Sequence, residues 1–392
     1  MEKQSQILMR ACPICNSRSG HKLLDINFEN QKGNPLPEHY DVIACDGCGF
    51  TYSDMSANQS LFNQYYSKYN TYAEAERIRV KESEKEPRFV YIAELIKGYV
   101  SLSAEILDVG CGGGELLEVL KQDGFDNVCG LDPSKESIKQ LTENGIKGIL
   151  GNIFDKKTVE KNFDVVISTA VAEHIYDLNR YIRNLGRYLK NDGFLVINVP
   201  AVENFPHRMA PLAANFNQEH INYFSKVSLD NLFGVHGFSR CHSEPYMNAG
   251  NDQQLVTIYK RQNGAAIEIK YDFSSEDCIK KYIVQYQKIQ DETDEKVRIF
   301  LSHASSFVIF GAGSYAMQLL KRFPELSDKT LFFVDNNSAK HEMLLAGKKI
   351  KPVEALKDLE EKTEILVCSM CNSGDIMQQV QELGIKNRIF AV

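Results

Sequence analysis

Two cysteine pairs, Cys12-Pro13-Ile14-Cys15 and Cys45-Asp46-Gly47-Cys48-Gly49, carry an explicit chemical signal. Each C-x-x-C knuckle sets two thiolates on a tight turn, and two knuckles close a tetrahedral sulfur shell that suits Zn²⁺. Such a shell leaves no position for water, so Cys12, Cys15, Cys45 and Cys48 are expected to hold a structural metal, about one per chain. The competing reading is reduced, unpaired thiols on surface turns. A redox pair is disfavoured, because no βαβ pattern surrounds either knuckle. Two Glu-His pairs supply acid-base chemistry: Glu173-His174 and Glu219-His220. A histidine near neutral pKa is a natural base for a hydroxyl or an activated carbon, and the adjoining carboxylate can orient an imidazole or act itself. Glu173-His174 reads either as scaffold at a pocket edge or as a substrate contact, whereas for Glu219-His220 the functional reading is preferred to that of a hydrogen-bonded loop pair. His207 and His236 read as bystanders. The segment from Phe62 to Tyr72 is rich in tyrosine. Most of its rings are expected to pack, with Tyr66 and Tyr72 as the phenols that can face a substrate.

Elements that position these groups are visible around them. Ile106-Leu107-Asp108-Val109 is an apolar strand that runs into Gly110-Cys111-Gly112-Gly113-Gly114 and then an amphipathic helix. Glycines let a backbone approach a ligand closely. Val128-Cys129-Gly130-Leu131 is a second strand ending in Asp132, and Phe163 to Ser168 is a further one. This series resembles a class I S-adenosylmethionine-dependent methyltransferase. The resemblance implies that Asp108, Gly110, Gly112 and Gly114 shape the pocket for the amino acid part of S-adenosylmethionine. It implies that Asp132 accepts both ribose hydroxyls, that Pro133 turns the chain away, and that Asn152 and Ile153 contact adenine. A nicotinamide dinucleotide site is the rival reading, since an acid about twenty residues after a glycine turn also fits it. Asp108 weighs against that rival: a carboxylate there repels a pyrophosphate and attracts a sulfonium and an ammonium.

With 392 residues, the chain is long enough for two or three domains. The expected division is residues 1–72 (zinc-binding region and tyrosine-rich connector), 73–262 (methyltransferase core), 263–302 (connecting helix) and 303–392 (a Rossmann-like unit). The fold class is α/β. A formal charge of −7 with no strongly basic block argues against general binding of a phosphate backbone, although a local patch escapes such a count. No nucleic-acid or membrane partner is expected. The polar start carries no signal-peptide pattern and no apolar run is long enough to span a bilayer, so a cytoplasmic location is expected. Ser274 to Asp277 has the serine-to-acid spacing of a helix capping box, followed by apolar residues at helical spacing. Ser306 to Phe310 then enters Gly311-Ala312-Gly313, with Leu331-Phe332-Phe333-Val334-Asp335 beyond. This second turn either faces phosphates of the acceptor or is a turn that kept its shape and lost its ligand. Cys368-Ser369-Met370-Cys371 has no partner pair and reads as incidental thiols. The charged run from Glu74 to Arg88 reads as a solvated helix face.

Taken in order, the motifs resemble the three-domain, zinc-containing sugar C-methyltransferases of deoxysugar pathways such as the tylosin and tetronitrose routes. The resemblance rests on the cysteine pairs, the Asp108–Gly114 turn, Glu173-His174, the run Glu219-His220-Ile221-Asn222-Tyr223-Phe224, and Gly311-Ala312-Gly313 with Val334-Asp335-Asn336-Asn337. It implies S-adenosylmethionine and structural Zn²⁺ as cofactors, and a nucleotide-linked keto-sugar as substrate. A base would remove the proton beside the ketone and the resulting enolate carbon would attack the methyl group. Glu219 and His220 are then the base candidates, with His174 near the sugar. This chain departs from the family's pattern on the substrate side: Gln218 stands where the family has a first histidine, Tyr69-Asn70-Thr71-Tyr72 replaces a Tyr-Arg-Ser run, and Gly250-Asn251-Asp252 replaces Gly-Gly-Ser. O- or N-methylation of a glycan precursor or related small molecule is the enzymatic alternative. A zinc-containing scaffold that binds nucleotide without turnover is the alternative of another class.

Overall fold

The structure is a computed structural model describing residues 4–28, 30, 33–68, 86–155, 160–207, 212–247, 253–262, 267–369 and 373–392. Tyr72, Cys371, Gly250-Asn251-Asp252 and most of the charged run after Glu74 lie outside the described residues. The chain divides into two compact units, one of Met1–Arg208 with Phe216–Tyr282 and one of Met209–Asn215 with Ile283–Val392.

The first unit holds two sheets. The smaller is antiparallel and begins with β1 (Gln6–Ile7), β2 (Ser19–Asn27), β3 (His39–Cys45) and β4 (Thr51–Asp54). Helix α1 (Gln59–Lys68) follows, and then α2 (Pro87–Lys97). The larger sheet is built from β5 (Ile106–Val109), α3 (Glu115–Gln122), β6 (Val128–Asp132), α4 (Lys135–Glu143), β7 (Lys147–Leu150), β8 (Phe163–Thr169), α5 (Leu178–Tyr188) and β9 (Leu189–Pro200). The fifth strand of the small sheet, β10 (Asn222–Tyr223), comes from far along the chain and pairs with β4. Helix α6 (Lys226–Gly234), β11 (Phe238–Met247) and β12 (Gln253–Arg261) complete the unit. The seven strands lie in the order β11-β12-β9-β8-β5-β6-β7 and run parallel except for β12, which is antiparallel to both of its neighbours. That is the class I methyltransferase arrangement, and its strand order reverses at β5, where open α/β sheets bind ligands at the strands' carboxyl ends.

Alternation along the strands explains the two layers. Ile106, Val165 and Ile167 point to one face, against Ile92, Ile96 and Leu120 of α2 and α3. Leu107, Val166 and Ile197 point to the other, in a cluster with Ile182 and Leu185 of α5. Leu8, Cys12, Cys45 and Phe50 belong to that same cluster, so the cysteine-bearing sheet shares a core with the large sheet.

In the second unit, the long helix α7 (Ser274–His303) leads into β13 (Phe307–Phe310), α8 (Ser314–Arg322), α9 (Pro324–Lys329), β14 (Thr330–Val334), β15 (Leu344–Leu345), β16 (Lys348–Lys351), β17 (Glu364–Val367), α10 (Ser373–Glu382) and β18 (Ile389–Ala391). Its sheet order is β15-β16-β14-β13-β17-β18. The boundary between the units falls inside α7. The cap of this helix differs from the spacing-based expectation. Ser274 is its first helical residue, and Asp272 caps it instead, accepting the backbone N–H groups of Ser274 and Ser275 at 3.1 and 3.2 Å and the Ser225 hydroxyl at 2.5 Å. A carboxylate accepts several donors at once, which a serine hydroxyl cannot match.

Candidate active site

The glycine turn is assembled as its spacing predicts. Gly110 has φ +78°, and a Cβ there would lie 2.6 Å from the Val171 side chain; at Gly114, with φ +94°, it would lie 2.1 Å from Leu141. Both the backbone conformation and the crowding therefore require glycine. Gly112 also has positive φ and donates its N–H to Asp132 Oδ2 at 3.1 Å, while Ser134 N–H donates to Asp132 Oδ1 at 2.8 Å. Asp132 is thereby fixed at the carboxyl end of β6, and burial raises its pKa. Asp108 is 1% exposed, and its Oδ1 has no hydrogen-bond partner among the described residues. Burial, reinforced by the Asp132 charge, pushes Asp108 up to about 7. A buried carboxylate left in this condition calls for a cation. Asn152 sits in the turn after β7, its side-chain oxygen accepting the Phe154 N–H at 2.9 Å. Ile153 packs into the core cluster and offers its carbonyl to Asn184 at 2.8 Å. Pro133 is exposed between β6 and α4.

The two Glu-His pairs, far apart in sequence, come together. Glu173-His174 form a short 3₁₀ turn after β8. Glu219-His220 precede β10, and both of their N–H groups donate to Asn217 Oδ1, at 2.9 and 2.8 Å. The His174 and His220 rings meet edge to face at 4.8 Å. His174 Nδ1 lies 3.1 Å from the Glu219 carbonyl and 3.0 Å from the Tyr66 hydroxyl. A carbonyl only accepts, so Nδ1 carries the proton and Nε2 the lone pair. Burial lowers His174 to about 4, which keeps it neutral near pH 7. Glu173 Oε1 is 4.0 Å from His174 Nε2.

Two contributors, Tyr65 and Arg10, escaped the sequence reading, and a third, Gln218, entered it only as a departure from the family's pattern. Tyr65, the neighbour of Tyr66 on α1, donates its hydroxyl to Glu219 Oε1 at 2.7 Å, and burial with that contact raises the phenol's pKa. Gln218 is tied to the loop before β3 through Asn30 at 2.6 Å and the Pro37 carbonyl at 2.9 Å. Arg10 is 4% exposed. It stacks on Tyr176 at 4.6 Å and donates to the carbonyls of Tyr176 and Ile175 and to Asn222 Oδ1 at 2.7, 3.3 and 2.9 Å. Arg10 thus joins the strand after the second Glu-His pair to the turn after the first. Their common signal was local, a polar or aromatic residue beside a named motif, but their partners are remote. His236 stands apart from this cluster and bonds Asn179 instead.

The four knuckle sulfurs also converge, with Cys12 and Cys48 Sγ at 3.5 Å and Cys15 and Cys45 Sγ at 3.4 Å. All four lie within 4.8 Å of one another. Tetrahedral ligation with Zn–S near 2.3 Å needs sulfurs about 3.8 Å apart, so the set fits Zn²⁺.

Residues 75–243 match the family model described as a methyltransferase domain. The chain carries a methyltransferase domain. The curated proteins similar to it include the ubiquinone biosynthesis O-methyltransferase of Rickettsia canadensis (strain McKiel), 36% identical over 118 residues, which are 28% of this chain and 50% of the relative. That of Rickettsia prowazekii (strain Madrid E) is 36% identical over 118 residues, 28% of this chain and 46% of the relative. The chain spans about half the length of these curated relatives. Among solved structures, the chain is similar to the Burkholderia thailandensis 1,6-didemethyltoxoflavin-N1-methyltransferase, at a TM-score of 0.43 and 14% identity over 57% of this chain and 96% of that one. The magnesium protoporphyrin IX methyltransferase of Synechocystis PCC 6803 is similar at a TM-score of 0.42 and 13% identity, over 52% of this chain and all of that one. The fold of the methyltransferase domain is that of the class I S-adenosylmethionine-dependent enzymes. No helix among the described residues is long and apolar enough to cross a membrane.

Proposed function

We propose that this chain methylates a nucleotide-activated keto-deoxysugar, with carbon as the acceptor atom. When bound, S-adenosylmethionine supplies an activated methyl carbon on a sulfonium leaving group that needs no acid to depart. Asp108 faces the donor's cationic end, Asp132 holds the ribose, and Asn152 borders the adenine. His220 takes the proton beside the ketone, with the Glu219 carboxylate, held by Tyr65, as its neighbour and the alternative base. Tyr66 and the neutral His174 orient the sugar, and a phenol hydroxyl donates to the oxygen where enolate charge develops. Zn²⁺ on Cys12, Cys15, Cys45 and Cys48 cross-links the small sheet.

The observation that carries this reading is the convergence of both Glu-His pairs with Tyr65 and Tyr66. The two tyrosines lie outside residues 75–243, so on this reading the acceptor side draws on chain that the family match does not cover. A second reading, O-methylation, is favoured by the names of the ubiquinone relatives and needs only a base for a hydroxyl. Both are tested together. The chain is incubated in heavy water with S-adenosylhomocysteine and a nucleoside diphosphate keto-deoxysugar. Exchange of the hydrogen beside the ketone is expected, and its loss in His220→Ala or Glu219→Gln. Exchange that persists in both variants removes these residues as the base. With S-adenosylmethionine, product mass and proton spectrum then distinguish a C-methyl from an O-methyl group. Absence of S-adenosylmethionine binding by calorimetry would favour the non-catalytic scaffold.

A further inference from the structure

A second polar site lies on the opposite edge of the large sheet. Strand β12 pairs Gln254 with Pro200, at the carboxyl end of β9, and Lys260 with Phe194, near that strand's beginning. Arg261 therefore stands about 23 Å along the strand from the ligand-binding edge, at ~3.3 Å per residue. Around it is a cavity of about 290 Å³, lined by Arg183, Arg187, His236, Phe238 and Arg261 together with Ile182 and Gly186. None of its lining residues is acidic.

The arginines are arranged rather than scattered. Arg183 and Arg187 are one turn apart on α5, so both exposed side chains rise from one face of the helix. Arg187 is steadied by a neutral partner, Asn184 Oδ1, at 3.1 Å. Arg261 donates to the Gly186 carbonyl at 2.6 Å and lies over the Phe238 ring at 5.5 Å. These partners fix the Arg187 and Arg261 guanidinium groups without neutralising them. Burial, and after it the charge of Arg183, lower the pKa of His236. A guanidinium presents planar paired donors that match phosphate oxygens, and three around one concavity define an anion site. The volume sits at the low end for ligand pockets, which suits a phosphorylated small molecule. The overall acidity of the chain, −7, makes this local excess of positive charge stand out.

We propose that the cavity between α5 and the β11–β12 hairpin binds a phosphate monoester or diphosphate group of a small molecule, at a site separate from methyl transfer. The test is calorimetry of the full chain with inorganic pyrophosphate in phosphate-free buffer. Saturable binding is expected, weakened tenfold or more in Arg183→Gln/Arg187→Gln, while S-adenosylmethionine binding, which also reports folding, is unchanged. Should the double variant lose that control, Arg183→Gln alone is expected to weaken pyrophosphate binding threefold or more. No saturable binding by the native chain, or the same affinity in the variants, overturns the proposal. A parallel sedimentation with phosphatidylglycerol vesicles separates the sources of phosphate: arginine-dependent vesicle binding without pyrophosphate binding also overturns it.

Discussion

At the scale of single residues, the two acids of the cofactor crevice differ in what holds them. Asp132 has backbone donors on both oxygens, whereas Asp108 is buried, has Oδ1 unpaired among the described residues and is pushed up to about 7. With no cation beside it, Asp108 keeps a proton that the unfolded chain, titrating near 3.8, has already lost. Its contribution to stability is present below about pH 4 and is lost as pH rises through about 7. A cationic ligand reverses the balance by favouring the ionised form. The affinity for S-adenosylmethionine is expected to rise with pH by up to about tenfold per unit below pH 7 and to level off above it. Calorimetry at pH 6, 7 and 8 measures this, and Asp108→Asn should flatten the curve; a native curve already flat would count against the pairing of Asp108 with the cation. Tyr65 offers a separate test on the acceptor side. Tyr65→Phe removes the hydroxyl that fixes Glu219 Oε1. It is expected to lower kcat by about 10- to 100-fold through misplacement of the carboxylate, with the donor's Kd unchanged. A loss confined to donor binding would place Tyr65 in a different role.

At the scale of elements, the small sheet holds the strand that follows the second Glu-His pair. A closed metal site reads from sequence as a device for stability alone, yet β10 follows Glu219-His220 directly and is the fifth strand of that sheet. Removing zinc with a chelator, or Cys45→Ser, should accordingly reduce turnover together with metal content. Residual S-adenosylmethionine binding should survive longer than activity, because the glycine turn belongs to the other sheet. Elemental analysis, turnover and calorimetry on the same samples check this, and full activity in metal-free chain would refute it. Arg10→Met should destabilise the unit by roughly 3 kcal/mol, since the Tyr176 carbonyl and Asn222 Oδ1 lose the guanidinium donor and the Ile175 and Ile221 carbonyls are left with one donor each; a denaturant midpoint reads it out. These elements also mark where the sequence was legible. The knuckles, the glycine turn and Asp132 are contiguous patterns whose geometry is local, and each stands where its spacing put it. Tyr65 and Arg10 carried no such signal, because their partners lie 154 and 165 to 212 residues away. Asp272 was missed as a cap for a different reason: the nearby serines matched a local rule, while the carboxylate gained a tertiary partner in Ser225.

At the scale of the whole molecule, the alternation of strands and helices announced two βαβ series, but periodicity cannot say whether the long helix between them is a free connector. The unit boundary passes through that helix between Tyr282 and Ile283. Tyr282 is 1% exposed and packs with Phe205 and Phe216 of the first unit. Val297 and Phe300, farther along, are buried with Phe307, Ile309 and Leu366 of the second. One helix therefore serves two cores. The second unit has apolar clusters on both faces of its sheet, one around Phe300, Phe333 and Leu366 and one around Val308, Val334 and Val367. Two buried faces on a chain of this length are what an autonomous domain requires. The fragment 283–392 is thus expected to unfold in a single cooperative transition by circular dichroism. The fragment 1–282 keeps both sheets of the first unit, so its affinity for S-adenosylmethionine should stay within about threefold of the full chain's, a change under 1 kcal/mol. A second-unit fragment that melts without cooperativity would show that its two apolar clusters do not suffice. Loss of donor binding in the first would mean that the crevice at β5 depends on residues beyond Tyr282.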